Sequence, residues 1–180
     1  MMSERKVSVY IATSVDGYIA TENDSLDWLF RSEPEGDAGY GEFYDTVDTV
    51  IMGRRTYDWV MEQVEGKYPY EDKQSYIYTS RLEESTSDIT FTSEKPSTLI
   101  DRIKKVDGGT IWLVGGGAII NEFLQNNLID EFIISIAPAL IGKGIPLFNN
   151  SKMEHNLELT DVRRYGQFAQ LHYSIKKAND

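Results

Sequence analysis

Residues 110–124 read TIWLVGGGAIINEFL, and this stretch predicts a buried strand, a three-glycine turn and a helix. The apolar run Ile111–Val114 is typical of a strand covered on both faces. After the glycines, apolar residues recur at helical spacing at Ile119, Ile120, Phe123, Leu124 and Leu128. A helix that begins on glycines offers backbone N–H groups and the positive end of its dipole to an anion, most often a phosphate.

Two interpretations of the glycine turn remain open. Gly115, Gly116 and Gly117 allow a tight packing turn, and they also allow a ligand to approach the backbone closely. The pattern is not the Rossmann fingerprint, because Ile120 stands where the third glycine is needed, and no Gly-Lys-Ser/Thr follows as in a Walker loop. A nucleotide bound here therefore implies a different α/β fold.

The composition is that of one ordinary globular domain, which we assign to residues 1–180. Lys plus Arg number 18 and Asp plus Glu number 29, which gives a net charge of −11. This balance argues against a nucleic-acid partner and against an anionic membrane, and an anionic cofactor needs a local group of basic residues. The chain has no cysteine, so it has no disulfide, no thiol nucleophile and no cysteine metal site, which is compatible with a reducing cytoplasm. We expect a cytoplasmic protein without a metal site.

A second strand–glycine–helix junction precedes the first in the chain. Thr49–Gly53 reads as a buried strand, and Arg54–Val64 has the apolar spacing of a helix. Arg54 and Arg55 then stand at the helix N-terminus, where positive charge opposes the dipole. A phosphate between the arginines and the backbone N–H groups explains this placement better than a solvated surface pair.

The remaining pattern places strand–helix units first and antiparallel strands last. Strands are predicted at Val7–Thr13, Gln74–Thr79, Ile89–Thr92, Asp130–Pro138, Leu157–Arg164 and Phe168–Lys176, and helices at Glu42–Asp48 and Pro96–Val106. The last two strands are separated by three turn residues and form a hairpin. We therefore predict a three-layer α/β fold, in which a mostly parallel central sheet with an antiparallel C-terminal edge carries helices on both faces.

Two connections carry further candidate residues. Thr79, Ser80 and Arg81 follow a predicted strand, and two hydroxyls with a guanidinium are a candidate phosphate contact. The segment Thr21–Gly41 is long and irregular, which is typical of a functional or mobile connection. The alternative is a surface excursion held in place by Trp28.

Three stretches together resemble one superfamily: Ile11–Ala20 (IATSVDGYIA), Val50–Tyr57 (VIMGRRTY) and Trp112–Ala118 (WLVGGGA). In this order and spacing they are similar to the dihydrofolate reductases and to the reductase domain of the riboflavin-biosynthesis deaminase–reductase. The segment Asp130–Phe148 resembles the riboflavin-type branch more closely. The resemblance spans nearly the whole chain.

The resemblance implies NADPH as the cofactor, and it implies a role for each matching residue. The residues that match the family's contacts with the pyrophosphate and adenosine side are Gly53, Arg54, Arg55 and Thr56. The pyrophosphate also corresponds to Gly115, Gly116, Gly117 and Ala118. The 2′-phosphate corresponds to Thr79, Ser80 and Arg81. The nicotinamide corresponds to Ala12, Thr13, Gly17 and Ile19.

The chain departs from the pattern of its relatives at the substrate. The riboflavin branch carries an acid where Gly115 stands, so a phosphoribosylaminouracil substrate is in doubt. Folate reductases carry one carboxylate that helps to protonate the pterin. Asp37 lies at a similar distance before the Met-Gly-Arg turn, and Asp27 is its rival. A solvated carboxylate remains the alternative interpretation of both.

We therefore expect an NADPH-dependent reductase that delivers a hydride to a C=N or C=O bond of a pteridine-like, uracil-like or similar heterocycle. A carboxylate or a water supplies the proton, and the Trp28 region forms a substrate wall or lid. The alternative is a non-catalytic nucleotide-binding protein that kept the fold. The relatives imply a homodimer. A hydrolase is disfavoured, because His155 and His172 are the only histidines and both lie late in the chain.

Overall fold

A computed structural model describes residues 5–81, 83–149 and 154–176 of the protein. Its strands are β1 (Val7–Thr13), β2 (Tyr18–Ala20), β3 (Val47–Gly53), β4 (Gln74–Tyr78), β5 (Ile89–Thr92), β6 (Thr110–Gly115), β7 (Glu131–Ile136), β8 (Ile145–Pro146), β9 (Leu157–Tyr165) and β10 (Phe168–Ile175). Eight of these strands form one sheet in the order β5-β4-β3-β6-β1-β7-β10-β9, and β2 pairs with β8 in a small second sheet.

The central sheet is parallel except at its C-terminal edge. Strand β1 runs parallel to β6 and β7, and β3 runs parallel to β6 and β4. Strand β10 is antiparallel to both β7 and β9. The predicted parallel sheet with an antiparallel edge is therefore confirmed.

Helices cover both faces of the sheet. They are α1 (Asp27–Phe30), α2 (Tyr40–Tyr44), α3 (Arg54–Gln63), α4 (Pro96–Ile103) and α5 (Gly117–Gln125). Buried residues of α4 and α5 pack with Ile111 and Leu113 of β6, whereas Phe43 of α2 packs with Trp112 on the other face. Adjacent strand residues point to opposite faces, so β6 contributes to both cores. This confirms the predicted three-layer α/β architecture.

Tertiary contacts move two of the predicted helix ends. The helix predicted over Glu42–Asp48 is instead Tyr40–Tyr44, because the Thr46 carbonyl oxygen accepts from the backbone N–H of Thr110 (2.8 Å) and Val47 is already a buried residue of β3. The helix predicted to reach Val106 ends at Ile103. There the buried guanidinium of Arg5 donates a hydrogen bond to the Ile103 carbonyl oxygen (3.1 Å).

Two connections contain regular structure. Residues Tyr18–Ala20, which follow β1, form β2, and β2 pairs with β8 in the connection after β7. The long segment Thr21–Gly41 contains α1, and Trp28 of that helix is buried. Trp28 packs with Ala137 and Phe168, so the segment is held to the end of the sheet.

Candidate functional site

The carboxyl ends of the parallel strands gather the predicted site residues at one edge of the sheet. Met52 is opposite Gly115 in the pairing of β3 with β6, and Gly53 is opposite Tyr78 in the pairing of β3 with β4. Thr13 ends the adjacent strand β1. The segments predicted to bind phosphates and nicotinamide therefore all leave the sheet at the same edge.

A crevice forms at this edge because two neighbouring strands send their helices to opposite faces. Strand β3 leads directly into α3, which lies on the face of Trp112. Strand β6 leads through Gly116 into α5, which lies on the other face. In open α/β sheets, ligands bind where the direction of such connections switches.

The first turns of these two helices face each other across the crevice. A β-carbon built on Gly116 would lie 3.3 Å from the hydroxyl oxygen of Thr56. In the described part of the chain, no side chain caps the N-terminus of α3 or α5, and neither first turn contains an acid. The first N–H groups of both helices lack intrahelical partners, so they are available to an anion.

The three glycines have three different roles. Gly115 has φ +136°, a backbone conformation that favours glycine. Gly117 is buried, and a β-carbon there would lie only 2.8 Å from the Pro146 carbonyl oxygen of β8. Gly116 is partly exposed and Ala118 is exposed. Packing therefore explains Gly117, whereas Gly116 and Ala118 border the open crevice.

The residues assigned to the nicotinamide lie next to this turn. Ala12 and Thr13 end β1, and Gly17 turns the chain into β2 at φ +85°. Ile19 of β2 comes within 3.7 Å of the β-carbon position of Gly117. The structure thus brings the two halves of the predicted cofactor site together, although their role in binding stays a prediction.

A cleft of about 910 Å³ opens beside the crevice. Its lining includes Arg54 and Arg55 of α3 and the Thr79, Ser80 and Arg81 segment after β4. The opposite wall comes from residues 23–27 and from Phe30 of α1. All three arginines that the sequence singled out therefore share one cleft.

Carboxylates already engage two of these arginines. Arg54 pairs with Asp58 (Nε–Oδ1 2.7 Å) and also with Glu83. Arg55 pairs with Asp24. Among the described residues, no carboxylate forms an ion pair with the side chain of Arg81.

The cleft is consequently less basic than the sequence suggested. Its lining holds three arginines and four carboxylates, which are Asp24, Asp27, Asp58 and Glu62. The formal charge of the lining is slightly negative. Attraction of a phosphate therefore depends on local geometry at the helix N-termini and at Arg81, because the cleft as a whole offers no excess of positive charge.

Sequence reasoning missed Tyr78, which lines the same cleft. Its hydroxyl is buried and has no hydrogen-bond partner among the described residues. Burial also raises the pKa of Tyr78 well above its ordinary value. A signal was present in the sequence, since Tyr78 directly precedes the Thr79-Ser80-Arg81 segment at the end of a strand.

The two candidate proton donors lie in different surroundings. Asp37 is exposed and accepts hydrogen bonds from the backbone N–H groups of Gly39 (2.9 Å) and Gly41 (2.8 Å) at the start of α2. The hydrogen bonds from Gly41 and Gly39 hold the pKa of the Asp37 carboxyl below its ordinary value. Asp27 instead lines the cleft. That cleft also contains the Thr79–Arg81 segment assigned to the 2′-phosphate and none of the residues assigned to the nicotinamide, so the catalytic assignment of either carboxylate stays a prediction.

Comparisons with known proteins agree with this architecture. The sequence model of the family described as RibD C-terminal domain matches residues 5–171 of the chain. The chain is 44% identical over 171 residues to the uncharacterized protein YwjB of Bacillus subtilis (strain 168), and the match covers 94% of this chain and 98% of YwjB.

Solved structures share the fold. A protein of Shewanella sp. PV-4, assigned provisionally to riboflavin biosynthesis, matches with a TM-score of 0.85 at 28% identity, over 96% of this chain and 99% of that one. Dihydrofolate reductase from Enterococcus faecalis, complexed with NADP(H) and RAB-propyl, matches with a TM-score of 0.61 at 13% identity, over 98% of this chain and all of that one. The fold is therefore reductase-like. In the described part of the chain, no helix has the length and apolar character to cross a membrane.

Proposed function

The chain belongs to the RibD C-terminal domain family, and from that membership we propose that it is an NADPH-dependent reductase. Its substrate is a pteridine-like, uracil-like or similar heterocycle, reduced at a C=N or C=O bond. When bound, the cofactor supplies the hydride. The protein's own residues therefore have to bind and orient the substrate and the cofactor, and to exclude water from the site.

One observation carries the proposal more than any other. The N-termini of α3 and α5 meet at a crevice, have no side-chain cap from any residue that the structure describes, and contain no acid in their first turns. In a chain with a net charge of −11, two such helix starts side by side are suited to an anionic group. The linkage between the two halves of a dinucleotide is such a group.

The cofactor's phosphates have candidate partners on this chain. The backbone N–H groups at Gly117 and Ala118 would hold the pyrophosphate, together with those at the start of α3. Arg81, Thr79 and Ser80 would hold the 2′-phosphate, since the Arg81 guanidinium has no competing carboxylate among the described residues.

Asp27 and Asp37 both stay candidates for the proton. Asp27 lies in α1 and lines the cleft with Phe30, but that cleft is the one assigned to the 2′-phosphate, and the residues assigned to the nicotinamide do not line it. A general acid must reach the reacting atom directly or through one water. Asp37 is less suited, because it is occupied by two backbone N–H groups that favour its ionised form.

The direct test is a titration of the protein with NADPH, followed by nucleotide fluorescence, with NADH as the control. We expect micromolar binding of NADPH and weaker binding of NADH. A dissociation constant above the millimolar range for NADPH would contradict the proposal. A screen of pterins and pyrimidines for NADPH oxidation then identifies the substrate class.

A non-catalytic nucleotide-binding protein is the alternative, and two observations favour it. Gly115 stands where the riboflavin branch carries an acid, and carboxylates already engage Arg54 and Arg55. The acceptor screen separates the two functions. Tight NADPH binding without oxidation by any acceptor supports the alternative.

We also propose that the protein is a homodimer that associates through its last strands. Strand β9 is the outermost strand of the sheet. Its apolar side chains Leu157, Leu159 and Val162 are 40%, 52% and 58% exposed. Light scattering tests the assembly: we expect a dimer that Leu159→Glu converts to a monomer, and a monomeric wild type would contradict it.

A further inference from the structure

A tight turn directs one carboxylate toward the arginines of the cleft. The backbone N–H of Thr21 donates to the Ser25 carbonyl oxygen (3.1 Å), and that of Ser25 donates to the Thr21 hydroxyl (3.0 Å). The backbone N–H of Asp24 closes the turn by donating to the Thr21 carbonyl oxygen (3.1 Å), and Asp24 has a left-handed backbone with φ of 62°. Asp and Asn tolerate this conformation better than most residues, so the turn fixes where the Asp24 side chain points.

Asp24 engages Arg55 through two nitrogens. Arg55 Nε and Nη2 both donate to Oδ2 of Asp24, at 2.9 and 2.6 Å. A phosphate oxygen accepts the same pair of donors. The neighbouring Arg54 pairs with Asp58 of the next turn of the same helix and with Glu83 from the segment after β4. The Asp24 carboxylate reaches Arg55 from the segment that forms the opposite wall of the cleft.

We infer that Asp24 is a specificity-determining residue of the cofactor site, an inference that rests on the proposed function. In the free protein, its carboxylate occupies Arg55, which lines the same cleft as Arg81. The 2′-phosphate that the Thr79–Arg81 segment holds contacts Arg55 as well and displaces Asp24 from it. Asp24 therefore weakens the preference for the 2′-phosphorylated cofactor. The expected change in affinity is small, because the side chains of Arg55 and Asp24 are 70% and 36% exposed and solvent screens their ion pair.

Two nucleotides that differ only at the 2′ position test this role. Adenosine 2′,5′-bisphosphate and adenosine 5′-monophosphate are titrated calorimetrically into the wild type and into Asp24→Asn. Asparagine keeps the left-handed turn and removes the charge. We expect the variant to bind the bisphosphate about two- to fivefold more tightly and the monophosphate unchanged.

Glu62→Gln is the matched control. Glu62 lines the same cleft, and among the described residues it forms no ion pair, so this variant removes an equal charge without freeing an arginine. We expect a smaller change in the affinity for the bisphosphate than with Asp24→Asn. An equal gain in Glu62→Gln would mean that overall charge is responsible, and it would overturn the inference.

A double variant ties the effect to Arg55. In an Arg55→Gln background, Asp24→Asn should no longer improve binding of the bisphosphate. A gain that persists there, or a gain for both nucleotides alike, overturns the role of Asp24 at the 2′-phosphate. Failure of the proposed function is distinguishable, because the wild type then binds neither nucleotide, and the inference falls with it.

Discussion

The hydroxyl oxygen of Thr56 lies 3.3 Å from the point that a β-carbon on Gly116 would occupy. Thr56 belongs to the first turn of α3, and Gly116 directly precedes α5. Two helices on opposite faces of the sheet therefore begin almost in contact. The proposed phosphate site depends on this closeness, because a single uncapped helix start is a much weaker anion site than two that converge.

The first prediction concerns Gly116→Ala. The backbone of Gly116 has an extended conformation that alanine adopts, and the new methyl group meets the side chain of Thr56 at the mouth of the crevice. We expect the melting temperature to change little and NADPH to bind about tenfold more weakly. Calorimetric titration measures the affinity. Unchanged binding would show that the crevice does not hold the cofactor.

Gly117→Ala should affect stability instead. Its β-carbon would lie 2.8 Å from the Pro146 carbonyl oxygen, which is backbone and cannot rotate away. We expect the free energy of unfolding to fall by about 1–3 kcal/mol in urea denaturation. Gly53→Ala is the control, because its β-carbon meets nothing within 4 Å at a negative φ of −75°. Equal losses in the two variants would contradict the packing role of Gly117.

The stabilising role of Asp37 should depend on pH. Hydrogen bonds from Gly41 and Gly39 lower its folded-state pKa below the ordinary value of 3.8. A depressed pKa means that the ionised carboxylate stabilises the fold above that ordinary value, and that this contribution disappears as the pH falls through the folded-state pKa. The melting temperature of Asp37→Ala should therefore lie below that of the wild type at pH 7, with the difference shrinking below about pH 4. A constant difference down to pH 2 would refute this account.

Turnover should distinguish Asp27 from Asp37. If Asp27 donates the proton, Asp27→Asn should lower kcat by about 10²-fold or more, and Asp37→Asn should retain most of kcat. If Asp27 only borders the phosphate cleft, Asp27→Asn should change NADPH affinity and keep most of kcat. The measurement is steady-state oxidation of NADPH with the acceptor found in the screen. The reverse ranking would assign the proton role to Asp37.

Tyr78→Phe should make the free protein more stable and leave NADPH binding unchanged, because the Tyr78 ring packs on Phe123 of α5, away from the α3 side of the cleft. The buried hydroxyl of Tyr78 has no partner among the described residues, so its removal should raise the free energy of unfolding by about 1 kcal/mol. Tyr44→Phe is the contrasting variant, since the Tyr44 hydroxyl donates to Asp72 (2.7 Å) and its loss should destabilise the fold by about 0.5 kcal/mol. Weaker NADPH binding by Tyr78→Phe would show that the hydroxyl contacts the nucleotide.

The strand–helix units were predictable because their signals are local. A short apolar run followed by glycine and then by 3.6-residue spacing occurs within about fifteen residues, both at Thr49–Gln63 and at Thr110–Gln125. The order of these units along the chain, with the hairpin last, was enough to indicate a parallel sheet with an antiparallel edge. The helix ends were less predictable, because contacts from Thr46 and Arg5 set them.

In the candidate site, too, the features set by local sequence were predictable and those set by long-range contacts were not. Sequence alone identified the glycine turns, the two arginines of α3 and the Thr79–Arg81 segment as phosphate candidates, since residue type and position at a helix start are local properties. It could not assign separate roles to Gly116 and Gly117, because the carbonyl group of Pro146 that crowds Gly117 comes from a distant strand.

By itself, the sequence determined the elements, the fold class and which residue types could meet an anion. Only the tertiary structure decided that β6 returns to lie beside β3, that Asp27 faces the cleft while Asp37 caps a helix, and that Asp24 holds Arg55. The physical reason is that these relationships join groups far apart in the chain. Their free energy depends on distance and solvent exposure, which only the packed molecule defines.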